Sequence, residues 1–130
     1  MPVASEGYHE PIERLRAETM DHHRAITSLM EELEAVDWYD QRVDATDDDE
    51  LRAILAHNRD EEKEHAAMIL EWLRRNDPTF DEQLRTYLYS EGPITEAEAE
   101  AMSDAESPER PSATAADSLG MGNLRGEELQ

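Results

Sequence analysis

The sequence predicts an all-α protein: an antiparallel hairpin of two long helices, followed by a short third helix. Apolar residues recur at alternating steps of four and three residues along two long segments, the pattern of helices packed side by side. A polar stretch separates the two segments, as a helical hairpin requires. The chain has 130 residues, and one hairpin buries little apolar surface. We therefore expect two copies to pair into a four-helix bundle.

The first helix is predicted over about Pro11–Trp38, since proline suits a first helical turn. Glu32 directly precedes the seam residue Leu33, so its side chain flanks the seam and can lean inward. Glu31 and Glu34 point further toward solvent. Glu32 is the candidate metal ligand on this helix, with a solvated surface charge as the alternative. The seam itself consists of Ile12, Leu15, Thr19, His22, Ile26, Leu29, Leu33 and Val36.

The second helix, predicted over about Asp48–Arg75, carries polar residues in the middle of its seam. Glu62 and His65 are three residues apart, so they share a helix face and can converge on one metal ion. Burying a carboxylate costs several kcal/mol unless a group such as a divalent cation compensates it. Four-helix-bundle di-iron proteins use this Glu-x-x-His spacing. The seam consists of Leu51, Leu55, Asn58, Glu62, His65, Ile69 and Trp72.

A structural alternative is that these polar residues only fix helix register and partner number. A buried Asn often has that role, so the alternative accounts for Asn58. It accounts less well for Glu62 and His65, because a register device rarely needs two ionisable layers. The metal interpretation is therefore preferred.

The loop between the helices is predicted at roughly Tyr39–Asp47. Thr46 and Asp49 resemble a capping box, and the acidic run 47–50 complements the positive end of the helix dipole. This run lacks the glycine and the alternate-position oxygens of an EF-hand loop. Helix-start chemistry is therefore favoured over calcium binding.

A hairpin folded around that loop predicts an incomplete metal site. Glu32 would face the region of Ile54 and Glu62 the region of Ile26, which separates the carboxylates by roughly 10 Å along the axis. One hairpin then cannot easily bring Glu32 to the ion held by Glu62 and His65. A bundle di-iron site uses a Glu from each of two helices and a Glu-x-x-His from each of two more. Two chains supply that set, so the site is predicted between subunits.

Composition excludes several classes of function. The formal net charge is −21, which argues against nucleic acid and anionic membranes as partners because both attract basic surfaces. The same charge is compatible with attracting cations, and Glu31 and Glu34 are either an acidic mouth for metal or solvated carboxylates. The chain has no cysteine, which fits a reducing setting and excludes iron–sulfur chemistry. No apolar run approaches bilayer length, and the N-terminus is not a signal peptide.

Three regions follow from the change in composition along the chain. Residues 1–97 hold the hairpin and a short third helix that starts near Asp77-Pro78 and ends by Gly92-Pro93. Residues 98–117, rich in Ser, Ala, Pro and acid, are predicted as a flexible acidic linker. Residues 118–130 place apolar side chains between glycines, a pattern suited to docking as an extended peptide or to a frayed terminus.

Four stretches of the chain resemble one known family, the encapsulated ferritins, which are cargo of encapsulin nanocompartments. The stretches are Met30–Arg42, His57–His65, Thr86–Thr95 and Ser118–Gly126. The last of them is similar to the family's encapsulin-targeting peptide, with Met121, Asn123 and Arg125 at positions where other residues also occur.

The resemblance implies a half-ferritin whose two-helix hairpins pair to rebuild a four-helix di-iron site. The pairs would close into a ring, typically a decamer. Glu32, Glu62 and His65 occupy the positions of the family's ferroxidase ligands, with Tyr39 beside the site. Glu31 and Glu34, near Trp38, match positions where metal enters.

The reaction implied by the resemblance is oxidation of Fe(II) to Fe(III) by dioxygen at a di-iron centre. The open ring cannot store mineral, so an encapsulin shell would bind the C-terminal peptide and hold the product. This implies a location in the lumen of an encapsulin nanocompartment in the cytoplasm.

Two other functions are compatible with parts of the sequence. One is a non-enzymatic coiled-coil adaptor or structural cargo protein, indifferent to metal. The other is a hemerythrin-like oxygen carrier that uses His22, His57 and His65, although that fold needs more histidines and all four helices in one chain.

Overall fold

The computed structural model describes residues 7–99 and residue 102, and this part of the chain is helical without strands. After a 3₁₀ turn at Ile12–Arg14, helix α1 runs over Ala17–Ala45 and helix α2 over Asp49–Arg75. A shorter helix α3 spans Pro78–Tyr87, and a second 3₁₀ turn spans Ile94–Glu96. Helices α1 and α2 pack against each other along an antiparallel hairpin. The predicted all-α class is confirmed.

Helix α1 starts and ends later than the sequence predicted. Leu15 and Arg16 are extended, with ψ angles of 135° and 156°, and they separate the 3₁₀ turn from the helix. At the other end α1 continues past Trp38 to Ala45. Residues 39–45 contain neither Gly nor Pro, so their polarity alone does not break the helix. The prediction of a loop over Tyr39–Asp47 is wrong.

The turn between α1 and α2 consists of Thr46, Asp47 and Asp48. Asp48 is the N-cap of α2, and its Oδ1 atom accepts a hydrogen bond from the amide of Leu51 at 3.0 Å. Thr46 Oγ1 accepts from the amide of Asp48 at 3.2 Å. The cap therefore lies two residues after Thr46, and the capping box predicted between Thr46 and Asp49 does not form.

Arg52 ties this turn to the end of α1. Its Nε atom donates to the carbonyl oxygen of Val43 at 3.2 Å, and a second guanidinium nitrogen donates to the carbonyl oxygen of Thr46. These carbonyl groups lie at the C-terminal end of α1, where no further turn of helix supplies amide donors. Arg52 therefore provides their hydrogen-bond donors within the protein.

The short turn changes which residues of the two helices face each other. The hairpin is centred on Asp47 instead of near Val43, so Glu32 faces Glu62 and not Ile54. The change corresponds to about eight residues, or roughly 12 Å along a helix. The predicted separation of the carboxylates is therefore wrong.

Apolar burial in the described part of the chain is small. Leu73 is 2 % exposed, and Ala66 and Ala97 are the other buried apolar residues. Polar contacts cross the hairpin at several levels, including an ion pair of 2.9 Å between Arg59 on α2 and Asp40 on α1. Much of the apolar surface of the helices is left uncovered within one chain.

Asp77 caps α3, because its Oδ1 atom accepts a hydrogen bond from the amide of Phe80 at 3.0 Å. This is the start predicted at Asp77-Pro78. The helix ends at Tyr87, before the predicted boundary at Gly92-Pro93. Tyr89, with φ of 62°, takes the left-handed conformation soon after that end.

The described residues divide into two units, one that ends at Leu84 and one that begins at Arg85. Apart from residues 98, 99 and 102, the predicted linker at 98–117 and the terminal peptide at 118–130 lie outside the described residues. Within the described part, none of the helices combines the length and apolarity needed to cross a membrane.

Candidate metal centre

Three of the predicted ligands meet at the middle of the hairpin. Glu32 comes from α1, and Glu62 and His65 come from successive turns of α2. One ligand atom from each lies within 4.8 Å of the other two, and all three residues are half-buried. This is the one cluster of at least three such side chains that the described residues form.

His65 stands between the two carboxylates. Its Nδ1 atom is 3.2 Å from Oε1 of Glu62 and 3.6 Å from Oε1 of Glu32. The side chains keep partial access to solvent, at 42 % exposure for His65 and about a quarter for each glutamate. This exposure leaves room for further ligands.

Because the carboxyl groups of Glu32 and Glu62 lie close together, their pKa values shift in opposite directions. A hydrogen bond shared with Glu62 raises the pKa of Glu32, with desolvation adding to the rise. The same bond lowers the pKa of Glu62, where His65 also contributes. Glu32 and Glu62 therefore share one proton and titrate as a pair. The hydrogen bond with Glu62 is the main cause of a raised pKa at His65, and the negative charges of Glu32 and Glu62 raise it further.

This donor set fits iron. Two carboxylates and an imidazole are ligands that iron accepts, and the hard carboxylate oxygens favour the ferric state. Without metal, the negative charge of the two carboxylates is compensated by the proton that they share and by the imidazole of His65. A divalent cation would compensate this charge directly. A single hairpin brings all three ligands together, contrary to the expectation that Glu32 would be too far from Glu62 and His65.

The other predicted site residues are not members of this cluster. Glu31 is exposed, and Glu34 and Tyr39 are half-buried on α1. The guanidinium carbon of Arg42 lies 5.3 Å from the centroid of the Tyr39 ring, within the range of a cation–π contact. Trp38, which the resemblance associates with Glu31 and Glu34, is 43 % exposed.

The histidines of the hemerythrin-like alternative do not meet. Both ring nitrogens of His22 face backbone carbonyl oxygens, one in Glu18 and one in Asn76. His57 is exposed, with Nε2 3.8 Å from Glu61. Among the described residues, His65 clusters with two glutamates and with neither of these histidines.

Sequence reasoning missed the Arg59–Asp40 contact, which lies one turn from the cluster. Arg59 donates to Asp40 at 2.9 Å and to its neighbour Asp60 at 3.2 Å. The hydrogen bond to Asp40 is the main reason that the pKa of Arg59 is raised. In the sequence, the only sign of this contact was the position of Arg59 three residues before Glu62. Its partner on α1 could not be identified, because the length of the turn decides which residue of α1 faces Arg59.

A family model described as EncFtn-like matches residues 7–91. The chain belongs to the EncFtn-like family. The encapsulated ferritin-like protein of Rhodospirillum rubrum is 60 % identical over 131 residues, covering 98 % of this chain and 94 % of that protein. The encapsulin nanocompartment cargo protein EncC of Myxococcus xanthus is 37 % identical over 71 residues, covering 55 % of each chain.

A solved structure also resembles this member of the EncFtn-like family. The crystal structure of protein ne0167 from Nitrosomonas europaea has a TM-score of 0.66 and 66 % sequence identity. The match covers 68 % of this chain and 98 % of that one. The related protein therefore shares this helical fold over nearly its full length.

Proposed function

We propose that this chain is a ferroxidase that works as a dimer, with a di-iron centre built from two copies of the Glu32–Glu62–His65 cluster. The observation that carries the proposal is the convergence of these three ligand atoms within 4.8 Å. Three protein ligands leave an iron ion short of its usual coordination, and they are half of a bundle di-iron set. A twofold axis beside the cluster would bring the second half.

Uncovered apolar side chains support such pairing. Leu51, Ile54, Met68 and Trp72 on α2 are between 38 % and 58 % exposed. Ile54 follows Leu51 by three residues, His65 follows Ile54 by eleven, which is about three helical turns, and Met68 and Trp72 follow at steps of three and four. All four apolar side chains therefore lie on the helix face of His65. A second hairpin on this face would bury the apolar side chains and shield the metal cluster from water.

The chemistry would follow from the ligands. Iron supplies the redox step, in which two Fe(II) ions each lose one electron and dioxygen accepts two electrons and two protons to give hydrogen peroxide. The carboxylates of Glu32 and Glu62 favour the ferric product. His65 binds metal as neutral imidazole, so protons compete with iron at this ligand and activity should fall toward about pH 6. Tyr39 would lie beside the site, and Glu31 and Glu34 would guide metal toward it.

The test is the initial rate of Fe(II) oxidation by the purified full chain, measured by ferric absorbance with dissolved oxygen recorded in parallel. We expect Glu62→Ala and His65→Ala to abolish rapid oxidation. Glu64→Ala and His57→Ala are matched controls, because they remove the same side-chain types from exposed positions of α2. Normal iron oxidation by Glu62→Ala protein would overturn the assignment of the site.

The dimer requires a separate measurement. Size-exclusion chromatography with mass determination, with and without Fe(II), should show that the species that oxidises iron is at least a dimer. The family resemblance favours dimers closed into a decameric ring. A monomer that binds two irons and oxidises them at full speed contradicts the shared site. The adaptor alternative predicts an assembly and a stability that do not respond to metal or chelator.

We further propose that the chain is cargo of an encapsulin shell and acts in its lumen, so that the shell retains the ferric product. Support comes from the names of the Rhodospirillum and Myxococcus relatives and from the sequence of Ser118–Gly126. Coexpression with an encapsulin shell tests this proposal. Truncation before Ser118 should end loading and leave iron oxidation by the free protein intact. Loading of the truncated chain at the normal level would exclude this peptide as the targeting signal.

A further inference from the structure

His22 lies between two backbone carbonyl oxygens. Its Nδ1 atom is 2.7 Å from the carbonyl oxygen of Glu18 on the same helix. Its Nε2 atom is 3.0 Å from the carbonyl oxygen of Asn76, at the end of α2. A carbonyl oxygen only accepts hydrogen bonds, and a neutral imidazole has a single N–H to donate. Both contacts can therefore be hydrogen bonds only when His22 is imidazolium.

The surroundings also favour the cation. Asn76 is the C-cap residue of α2, where unpaired carbonyl groups form the negative end of the helix dipole. The carbonyl of Glu18 is the main cause of a raised pKa at His22, opposed by desolvation. Asn76, and the negative charges of Asp77 at the start of α3 and Asp21 on α1, raise the pKa further.

We propose that His22 is a proton-dependent clasp between α1 and the corner where α2 ends and α3 begins. The doubly protonated ring donates to both helices and holds the corner against α1. Loss of one proton removes one donor, so one of the two carbonyl oxygens must turn to water. The Trp72 ring, 5.6 Å away and edge-on to the imidazole, packs beside this contact. The clasp involves none of the proposed metal ligands and does not depend on the proposed ferroxidase activity.

The direction of the pH effect follows from the raised pKa of His22. A histidine whose pKa is higher in the folded than in the unfolded state contributes stability that is fully present below the unfolded value. That contribution is lost as the pH rises through the folded value. The corner at residues 76–80 should therefore open locally on the alkaline side, while the middle of the hairpin stays closed.

Two measurements on the metal-free full chain test the clasp. In His23→Gln protein, His22 is the single imidazole of its region, and mass spectrometry of histidine C2-hydrogen exchange follows its titration. Its midpoint should lie above that of the same peptide in denaturant. Amide exchange of residues 76–82, corrected for the intrinsic rate, should speed up roughly fivefold to tenfold across that midpoint, the loss expected for one hydrogen bond.

His22→Gln and His23→Gln are matched variants of adjacent residues. His23 has its ring contact with Tyr8, at 4.5 Å between centroids, so His23→Gln should keep the pH response of the corner. His22→Gln should exchange fast at residues 76–82 at every pH, because both N–H donors of a glutamine amide lie on one nitrogen, whereas the two carbonyl oxygens face different nitrogens of the imidazole. A His22 midpoint at or below the denatured value overturns the clasp. So does a pH-independent exchange rate at residues 76–82 in the wild-type chain, a measurement that needs no variant.

Discussion

The Nδ1 atom of His65 on α2 lies 3.6 Å from the Oε1 atom of Glu32 on α1. The two ligands therefore come from opposite arms of one hairpin, and their distance is set by how the helices are paired. The three-residue turn, Thr46, Asp47 and Asp48, fixes that pairing. A metal site of this kind is sensitive both to its ligands and to the contacts that hold the register of the hairpin.

Replacement of Glu32 should separate the role of a ligand from that of a nearby acid. Glu32→Ala removes the α1 member of the cluster, and we expect metal affinity to fall by at least tenfold. Glu64→Ala removes an exposed carboxylate of α2 and should keep the number of ions bound per chain. Isothermal titration with Co(II), which air does not oxidise readily, measures both quantities. Equal losses in the two variants would exclude a specific role for Glu32.

The ion pair between Arg59 and Asp40 crosses the hairpin one turn from the cluster, and its loss should loosen the register. Arg59→Gln should lower the free energy of unfolding of the metal-free protein by more than a substitution that removes an ion pair within one helix, because its ion pair joins the two helices. Arg24→Gln is the control, since Arg24 pairs with Asp21 within α1 at 2.6 Å. It should cost less than about 0.5 kcal/mol.

Urea denaturation at one fixed protein concentration compares the Arg59 and Arg24 variants, because association contributes to stability. Arg59→Gln should also bind metal more weakly, whereas Arg24→Gln should not. If Arg59→Gln binds metal with the wild-type affinity, the cross-hairpin pair does not control the register at the site.

The sequence was sufficient for the hairpin because helical periodicity is strong in both long segments. Asp48 and Asp77 both cap helices, as acidic residues beside helix starts do. The end of α1 could not be read in the same way. Residues 39–45 are polar but contain no helix-breaking residue, so the distinction between a loop and an exposed helix depended on packing with α2.

The cluster was predictable in part for the same reason. Glu62 and His65 share a face of one helix, so their spacing alone places them together. Glu32 was identified from its position beside the seam, but its distance from them required the true length of the turn. The role of His22 had no signal in the sequence, because its partners are backbone carbonyls, which any residue carries.

Glu71 should make the stability of the chain depend on pH in the acid range. It accepts hydrogen bonds from Arg74 at 2.8 and 2.9 Å and from Arg75 at 2.6 Å. The hydrogen bond from Arg74 is the main cause of a lowered pKa at Glu71, and Arg75 lowers it further, to about 2. A carboxylate with a depressed folded pKa stabilises above its unfolded pKa, and that stabilisation is lost as the pH falls toward about 2.

We expect Glu71→Gln to flatten part of this acid dependence below about pH 4.5. The side chain is 41 % exposed, so solvent screening should keep the effect below about 1 kcal/mol. Glu64→Gln, which removes an exposed carboxylate elsewhere on α2, should leave the slope unchanged. Thermal unfolding from pH 5 to pH 2.5 gives the comparison. Parallel profiles for wild-type and Glu71→Gln protein would contradict the predicted contribution.

Metal should stabilise the folded protein through the Glu32–Glu62–His65 cluster. An ion that binds the native state alone stabilises it by about 2.7 kcal/mol at a free concentration one hundred times its dissociation constant. Addition of Co(II) should therefore raise the unfolding temperature, and chelator should reverse the change. His65→Ala should lose the response, and His57→Ala should keep it, because His57 lies outside the cluster. A stability that is indifferent to both metal and chelator would favour the adaptor function, in which the polar seam serves register alone.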